Sequence, residues 1–219
     1  MTVTKRIEMI KTLVPKGARV LDVGSDHALL PISLFLDGVI TEAVISDINV
    51  GPLDSGKSNV ARLAPGLKAS VVLSDGFKNV EKGGYDVAAV CGMGGELIAA
   101  IIDEAEDKAH VPLILQPMSH AERLREYLWS NGFEIKEECF AAEGKRAYLI
   151  ISAVYTGKST KYDYDDLFYG QFRPDNDAFA LYSAGVAKAA KKRLEGYKLQ
   201  GDEAMAALTE NLILLNGKK

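Results

Sequence analysis

The sequence predicts an α/β protein: a mostly parallel, doubly wound sheet that ends in an antiparallel strand hairpin and carries an appended helical hairpin. Three observations point there. From about residue 18 to residue 132, short β-rich runs alternate with segments whose apolar residues recur at helical spacing, the pattern of strands covered on both faces by crossover helices. The next two β-rich runs, "FEIKEECFA" and "RAYLIISAVYT", are separated only by "AEGK", which leaves no room for a crossover, so one of the pair runs antiparallel. Beyond Tyr155 the chain turns polar and turn-rich, and then shows two helical segments joined by "QGDE".

The elements follow in order. An amphipathic helix occupies about residues 4–14. Five strands are expected at "ARVLDVG" (18–24), "EAVISDI" (42–48), "KASVVLSDG" (68–76), "DVAAVCG" (86–92) and "VPLILQP" (111–117). Between them "LLPISLFLDG", "PLDSGKSNVARL", "GELIAAIIDEAED" and "HAERLREYLWSNG" read as helices, several closed by glycine or a polar turn. The hairpin strands complete a sheet domain over 1–155. Residues 156–177 read as a linker or docking loop, and helices at 178–199 and 203–215 form an antiparallel pair, so 156–219 is the helical hairpin domain.

With 219 residues, 47% of them hydrophobic, the chain can bury one good core plus an appendage. Cys91 and Cys139 lie far apart in apolar runs, which fits neither a disulfide framework nor a metal site and predicts reduced core thiols. No basic-then-apolar signal opens the chain, and no uncharged apolar stretch approaches the roughly 20 residues of a membrane span, so a soluble cytoplasmic protein without membrane or metal is expected. The net charge of −4 argues against nucleic-acid binding only if it is spread evenly. It is not. "KAAKKRLEGYK" carries five basic residues against one acidic, and "TKRIEMIKTLVPKGAR" forms a second basic cluster.

"VLDVGSDHALLP" opens like a nucleotide-binding strand and turn, yet Asp26 and His27 stand where further glycines would be expected. Gly24 and the turn after it are placed to bring backbone N–H groups to a ligand's carboxylate or phosphate. Asp47, closing the second strand, suits the two hydroxyls of a ribose, and both NAD and S-adenosylmethionine satisfy that pair. Asp75 and Gly76 close the third strand, where a carboxylate can take an adenine amine or simply make an Asp-Gly turn. The fourth strand empties into "CGMGGELI", whose Gly92, Gly94 and Gly95 clear space for close approach. Gln116 is placed to bond a base edge or to satisfy loop backbone, with Pro117 fixing the turn. A parallel sheet ending in a hairpin is the layout of class I (Rossmann-like) methyltransferases. A dinucleotide-binding dehydrogenase continues with parallel strands and has its glycines at the first turn.

Taken together, "GSDHALLP", "ISDINVGPLDSG", "LSDGF", "CGMGGELI" and "LILQP" followed by "LREYLWSNGFEI" resemble the bacterial tRNA (adenine-22-N1)-methyltransferases, the TrmK family. "DLFYGQFRPDNDAFALY" resembles that family's appended C-terminal domain. Met118 departs from the polar residue that the pattern has after the fifth-strand Gln-Pro. The resemblance implies methyl transfer from S-adenosylmethionine to N1 of an adenine in tRNA. Asp22, Gly24, Ser25, Asp47, Asn49, Asp75, Gly76, Gly92, Met93 and Gly94 would then hold the cofactor. Gly95, Gln116 and Pro117 would face the acceptor base, and Lys188, Lys191, Lys192 and Arg193 would meet tRNA phosphates. Adenine N1 is a lone-pair nucleophile with no proton to remove, so catalysis needs aim and tolerance of developing positive charge rather than a strong base. Asp26 fits that need by accepting from the N6 amine, and His27 either braces it or touches the substrate. The competing readings are an NAD(P)-dependent oxidoreductase, disfavoured because Asp26 would repel a pyrophosphate, and a non-catalytic RNA-binding module.

Overall fold

The computed structural model describes residues 3–25 and 27–215. Seven strands, β1 (Val20–Val23), β2 (Glu42–Asp47), β3 (Lys68–Leu73), β4 (Val87–Gly94), β5 (Leu113–Ser119), β6 (Phe133–Glu143) and β7 (Arg146–Tyr155), form one sheet in the order β3-β2-β1-β4-β5-β7-β6. Strands β1 to β5 pair in parallel, and β7 lies antiparallel to both β5 and β6. The hairpin expected from "AEGK" turns at Gly144 and Lys145, since Glu143 pairs with Arg146. Three strands outrun their expected ends, β6 by two residues to Glu143. β4 continues through Met93 to Gly94 with register breaks, beside a β5 that reaches Ser119.

All four residues of β1 are buried, because helices cover both faces of the sheet. Alternate side chains divide between two apolar layers. Leu21 and Val23 join Ile98, Leu124 and Trp129 under α4 (Gly95–Ala105) and α5 (Ala121–Ser130). Val20 joins Ile10, Ile32, Leu53 and Val60 under α1 (Lys5–Thr12), α2 (Leu29–Leu36) and α3 (Val50–Leu63).

The C-terminal part is more than a linker and two helices. Within the segment read as a loop, Asp163 and Asp166 form a reciprocal capping box that starts a short helix, α6 (Tyr164–Tyr169). Its Phe168 and Tyr169 are buried with Ala190 of α7 (Asp177–Gln200) and Leu212 of α8 (Glu203–Leu214), and the Tyr169 hydroxyl donates to the Leu212 carbonyl at 2.8 Å. Leu194 is half-buried, but Leu199 is 89% exposed. It lies two and a half turns past the buried Ala190, on the opposite side of α7.

A buried ion pair ties this part to the sheet. Arg125 Nε on α5 donates to Glu138 Oε1 on β6 at 2.6 Å. Arg125 Nη1 donates to the carbonyls of Leu167 and Phe168 at 2.9 and 3.1 Å and to the Tyr182 hydroxyl at 3.2 Å. Both charged side chains are fully buried. Among the described residues, no helix is long and apolar enough to cross a membrane, and no cluster of His, Cys, Asp and Glu could hold a metal ion.

Candidate active site

The carboxyl ends of β1, β2 and β3 lie side by side on one rim, as the positions of Gly24, Asp47 and Asp75 require. Strand order reverses between β1 and β4, where ligands bind in open α/β sheets. There a cavity of about 320 Å³ opens, lined by Asp22, Gly24, Ser25, Gly92, Met93 and Gln116, together with Arg6 from α1 and Met118 from β5. Asp47, Asn49, Asp75 and Gly76 stand outside it on the neighbouring strand ends, and Asp26 lies outside the described residues.

Gly24 holds φ +70, a turn that favours glycine, and a Cβ built on it would lie 1.9 Å from the methyl carbon at the flexible end of Met93, so the backbone conformation rather than the packing requires glycine. Its N–H does not serve a ligand, however. Gly24 and Ser25 both donate to the Ser46 carbonyl, at 2.8 and 3.1 Å, which corrects the expectation of a backbone anion cradle there. The carboxylate before the turn dominates the electrostatics. Asp22 is buried, and burial pushes its pKa up to about 6; the Ser25 hydroxyl, donating at 2.5 Å, lowers it, and nearby Asp47 raises it further. No described cation pairs with Asp22. His27 and Ala28 follow at φ 63 and 57, consecutive left-handed residues other than glycine, a strained turn of the kind that collects at ligand sites. The His27 ring is exposed, and its carbonyl accepts from Asn59 Nδ2 at 3.1 Å.

On β2, one oxygen of the nearly buried Asp47 accepts the Asn49 N–H at 2.8 Å, while the other bonds no described residue. The exposed Asp75 carboxylate is engaged by Lys78 at 2.6 Å, so a role on an adenine amine must compete with that ion pair. The glycines of β4 have separate reasons. Gly92 faces open space, whereas Gly95 is buried and its absent Cβ would strike the His120 carbonyl at 2.2 Å. Gly95 therefore serves the packing of the β5–α5 loop rather than approach of an acceptor. Gly94 sits beside Ser119 at the end of β5. Gln116 is fully buried and satisfied internally: its Nε2 donates to the Pro117 carbonyl at 2.9 Å, and its Oε1 accepts from Arg6 Nη1 at 3.3 Å.

A family model described as "Methyltransferase domain" matches residues 3–151. The tRNA (adenine(22)-N(1))-methyltransferase of Bacillus subtilis is 33% identical over 162 residues, spanning 73% of this chain and 68% of that relative. The chain belongs to the tRNA (adenine(22)-N(1))-methyltransferase family. The solved Bacillus subtilis m1A22 tRNA methyltransferase TrmK superimposes with a TM-score of 0.83 at 27% identity, covering 97% of this chain and 99% of that one. Streptococcus pneumoniae Sp1610, solved in complex with S-adenosyl-L-methionine, gives a TM-score of 0.84 at 31% identity, covering 97% and 100%.

Within this methyltransferase, Arg6 is the site residue that sequence reasoning missed. The signal was present, since Arg6 is one helical turn from the buried Ile10 and so lies on the apolar side of α1. Its guanidinium stacks over Tyr148 at 5.1 Å and reaches the Met118 sulfur at 3.3 Å. Lys5, Arg6 and Lys11 therefore form no joint basic surface. Arg6 points inward, and Lys11 is buried between Glu8 and Asp37. On α7, Lys188, Lys191 and Lys192 are exposed and pair with no described acid, while Arg193 is held by Glu122 at 2.9 Å and Lys198 by Glu210 at 2.7 Å.

Proposed function

We propose that this chain transfers the methyl group of S-adenosylmethionine to N1 of adenine 22 in tRNA, with the rim cavity receiving the methionine end of the donor. The observation that carries the reading is a buried carboxylate, Asp22, which no described cation pairs with and which shares one cavity with the guanidinium of Arg6. That donor set matches an amino-acid zwitterion, Asp22 taking the ammonium and Arg6 the carboxylate. Asp47, with one oxygen uncommitted on the adjacent strand, takes the ribose hydroxyls. When bound, S-adenosylmethionine supplies an electrophilic methyl carbon on a sulfonium. The N1 lone pair of the adenine forms the new bond as the carbon–sulfur bond breaks, leaving a cationic methyladenine and neutral thioether. The chain's own task is to aim N1 along that axis and to offer negative charge to the product, which the sequence assigns to Asp26. Lys188, Lys191 and Lys192 supply phosphate contacts from α7.

The test is methylation of an unmodified tRNA, with the modified position mapped by mass spectrometry, alongside calorimetry with S-adenosylhomocysteine and with NAD. Modification confined to adenine 22 and binding of S-adenosylhomocysteine alone is the expected result, and binding of NAD instead would overturn it. Asp47→Ala is expected to weaken S-adenosylhomocysteine binding by about 1.5–3 kcal/mol per lost charge-assisted hydrogen bond while the protein stays folded. Unchanged affinity would remove Asp47 from the ribose.

A further inference from the structure

A second and larger cavity, of about 580 Å³, forms a groove between the turn of the β6–β7 hairpin and one face of α7. Its walls carry Lys145 and Arg146 on the hairpin side and Arg193 on the helix side, against one carboxylate, Glu122, which Arg193 already engages. Lys192 is three residues past Ala189 and seven past Gly185, both lining the groove, so it stands on the same face of α7 and adds to that rim. Phe168, Tyr148 and Tyr182 give the lining an aromatic character.

The groove starts where the rim cavity stops. Met118 lines both, and Arg6, which touches the Met118 sulfur and stacks on Tyr148, spans the wall between them. N1 of adenine lies on the edge that pairs in a duplex, so a base methylated there must leave its stack or lie in a single strand, and the nucleotide beside it loses a stacking partner. Cations on two walls above aromatic rings are what such a nucleotide needs: charge follows the phosphates and rings receive the base.

We propose that this groove holds an unstacked nucleotide flanking the target adenine, its phosphates between the hairpin turn and α7 and its base against the aromatic lining. The proposal rests on the tRNA reading above. Two variants test it in the full chain. Lys145→Glu with Arg146→Glu reverses the exposed hairpin wall, and Gly185→Trp plugs the groove from a position where an added side chain meets open space.

The charge reversal is expected to weaken tRNA binding more than tenfold and to flatten its salt dependence by about 1.4, at about 0.7 per single-strand phosphate contact. Gly185→Trp is expected to weaken binding of tRNA and of a short single-stranded RNA several-fold with the salt slope unchanged, because it removes space rather than charge. Both should bind S-adenosylhomocysteine like wild type. If both variants keep wild-type RNA affinity and slope while wild type still methylates adenine 22, the groove serves something other than this RNA strand and the proposal is wrong. If wild type itself neither binds tRNA nor methylates it, the underlying tRNA reading is what has failed.

Discussion

Replacing Arg125 with methionine is expected to cost about 3–5 kcal/mol of stability, the usual range when one partner of a buried ion pair is removed. Arg125 and Glu138 are both fully buried, so the substitution strands a carboxylate in the interior and frees the carbonyls of Leu167 and Phe168. Those carbonyls belong to α6, and Tyr182 belongs to α7, so the loss is concentrated on the seam between the sheet and the helical hairpin. For a chain of this size the melting temperature should fall by about 10 °C, and protease should cut the segment between Tyr155 and Asp177 in the variant well before the sheet. The double variant Arg125→Met with Glu138→Leu should recover most of the loss, because it leaves no unpaired charge. Equal denaturant midpoints for wild type and Arg125→Met would show that the seam is held by apolar contacts alone.

Asp22→Asn is expected to make the free protein more stable and its donor binding worse. With a folded pKa raised to about 6, Asp22 binds more protons folded than unfolded between about pH 4 and pH 6. Stability therefore falls as pH rises through that window, and the full cost of about 3 kcal/mol stands at neutral pH. Asparagine cannot ionise, so the variant should gain up to that amount at pH 7.5 and nothing below pH 4. Its affinity for S-adenosylhomocysteine should drop by about 1.5–3 kcal/mol, since the ammonium loses a charged partner. In wild type the same affinity should weaken about tenfold per pH unit below pH 6, and in the variant it should be flat there. A variant with wild-type affinity at neutral pH would place the donor's ammonium elsewhere.

The sheet was legible because its strands are short apolar runs punctuated by turns, and the hairpin because four residues cannot span a crossover. Helix α6 was hidden because its six residues make no periodic pattern, and its burial depends on Ala190 and Leu212, which are far away in sequence. At the site, acids at strand ends could be read directly, since strand ends share a rim. What the turn's N–H groups do could not, because their partner is the Ser46 carbonyl on another strand. Arg6 was masked by the basic run around it, where a cation reads as a solvated face, and Gly95 by neighbouring glycines whose reasons differ from its own.

Walls of the rim cavity come from parts of the sheet domain far apart in sequence. Arg6 stands near the beginning of the chain and Gln116 and Met118 past its middle, and α1 is seated on the hairpin through the Arg6 N–H to Glu143 and the stack on Tyr148. During synthesis the first helix emerges long before the strands it must rest on. The earlier strands can assemble as a unit, but a finished pocket exists only once the hairpin has left the ribosome. A small molecule that binds there can therefore stabilise the nearly complete chain and cannot rescue one halted at β5.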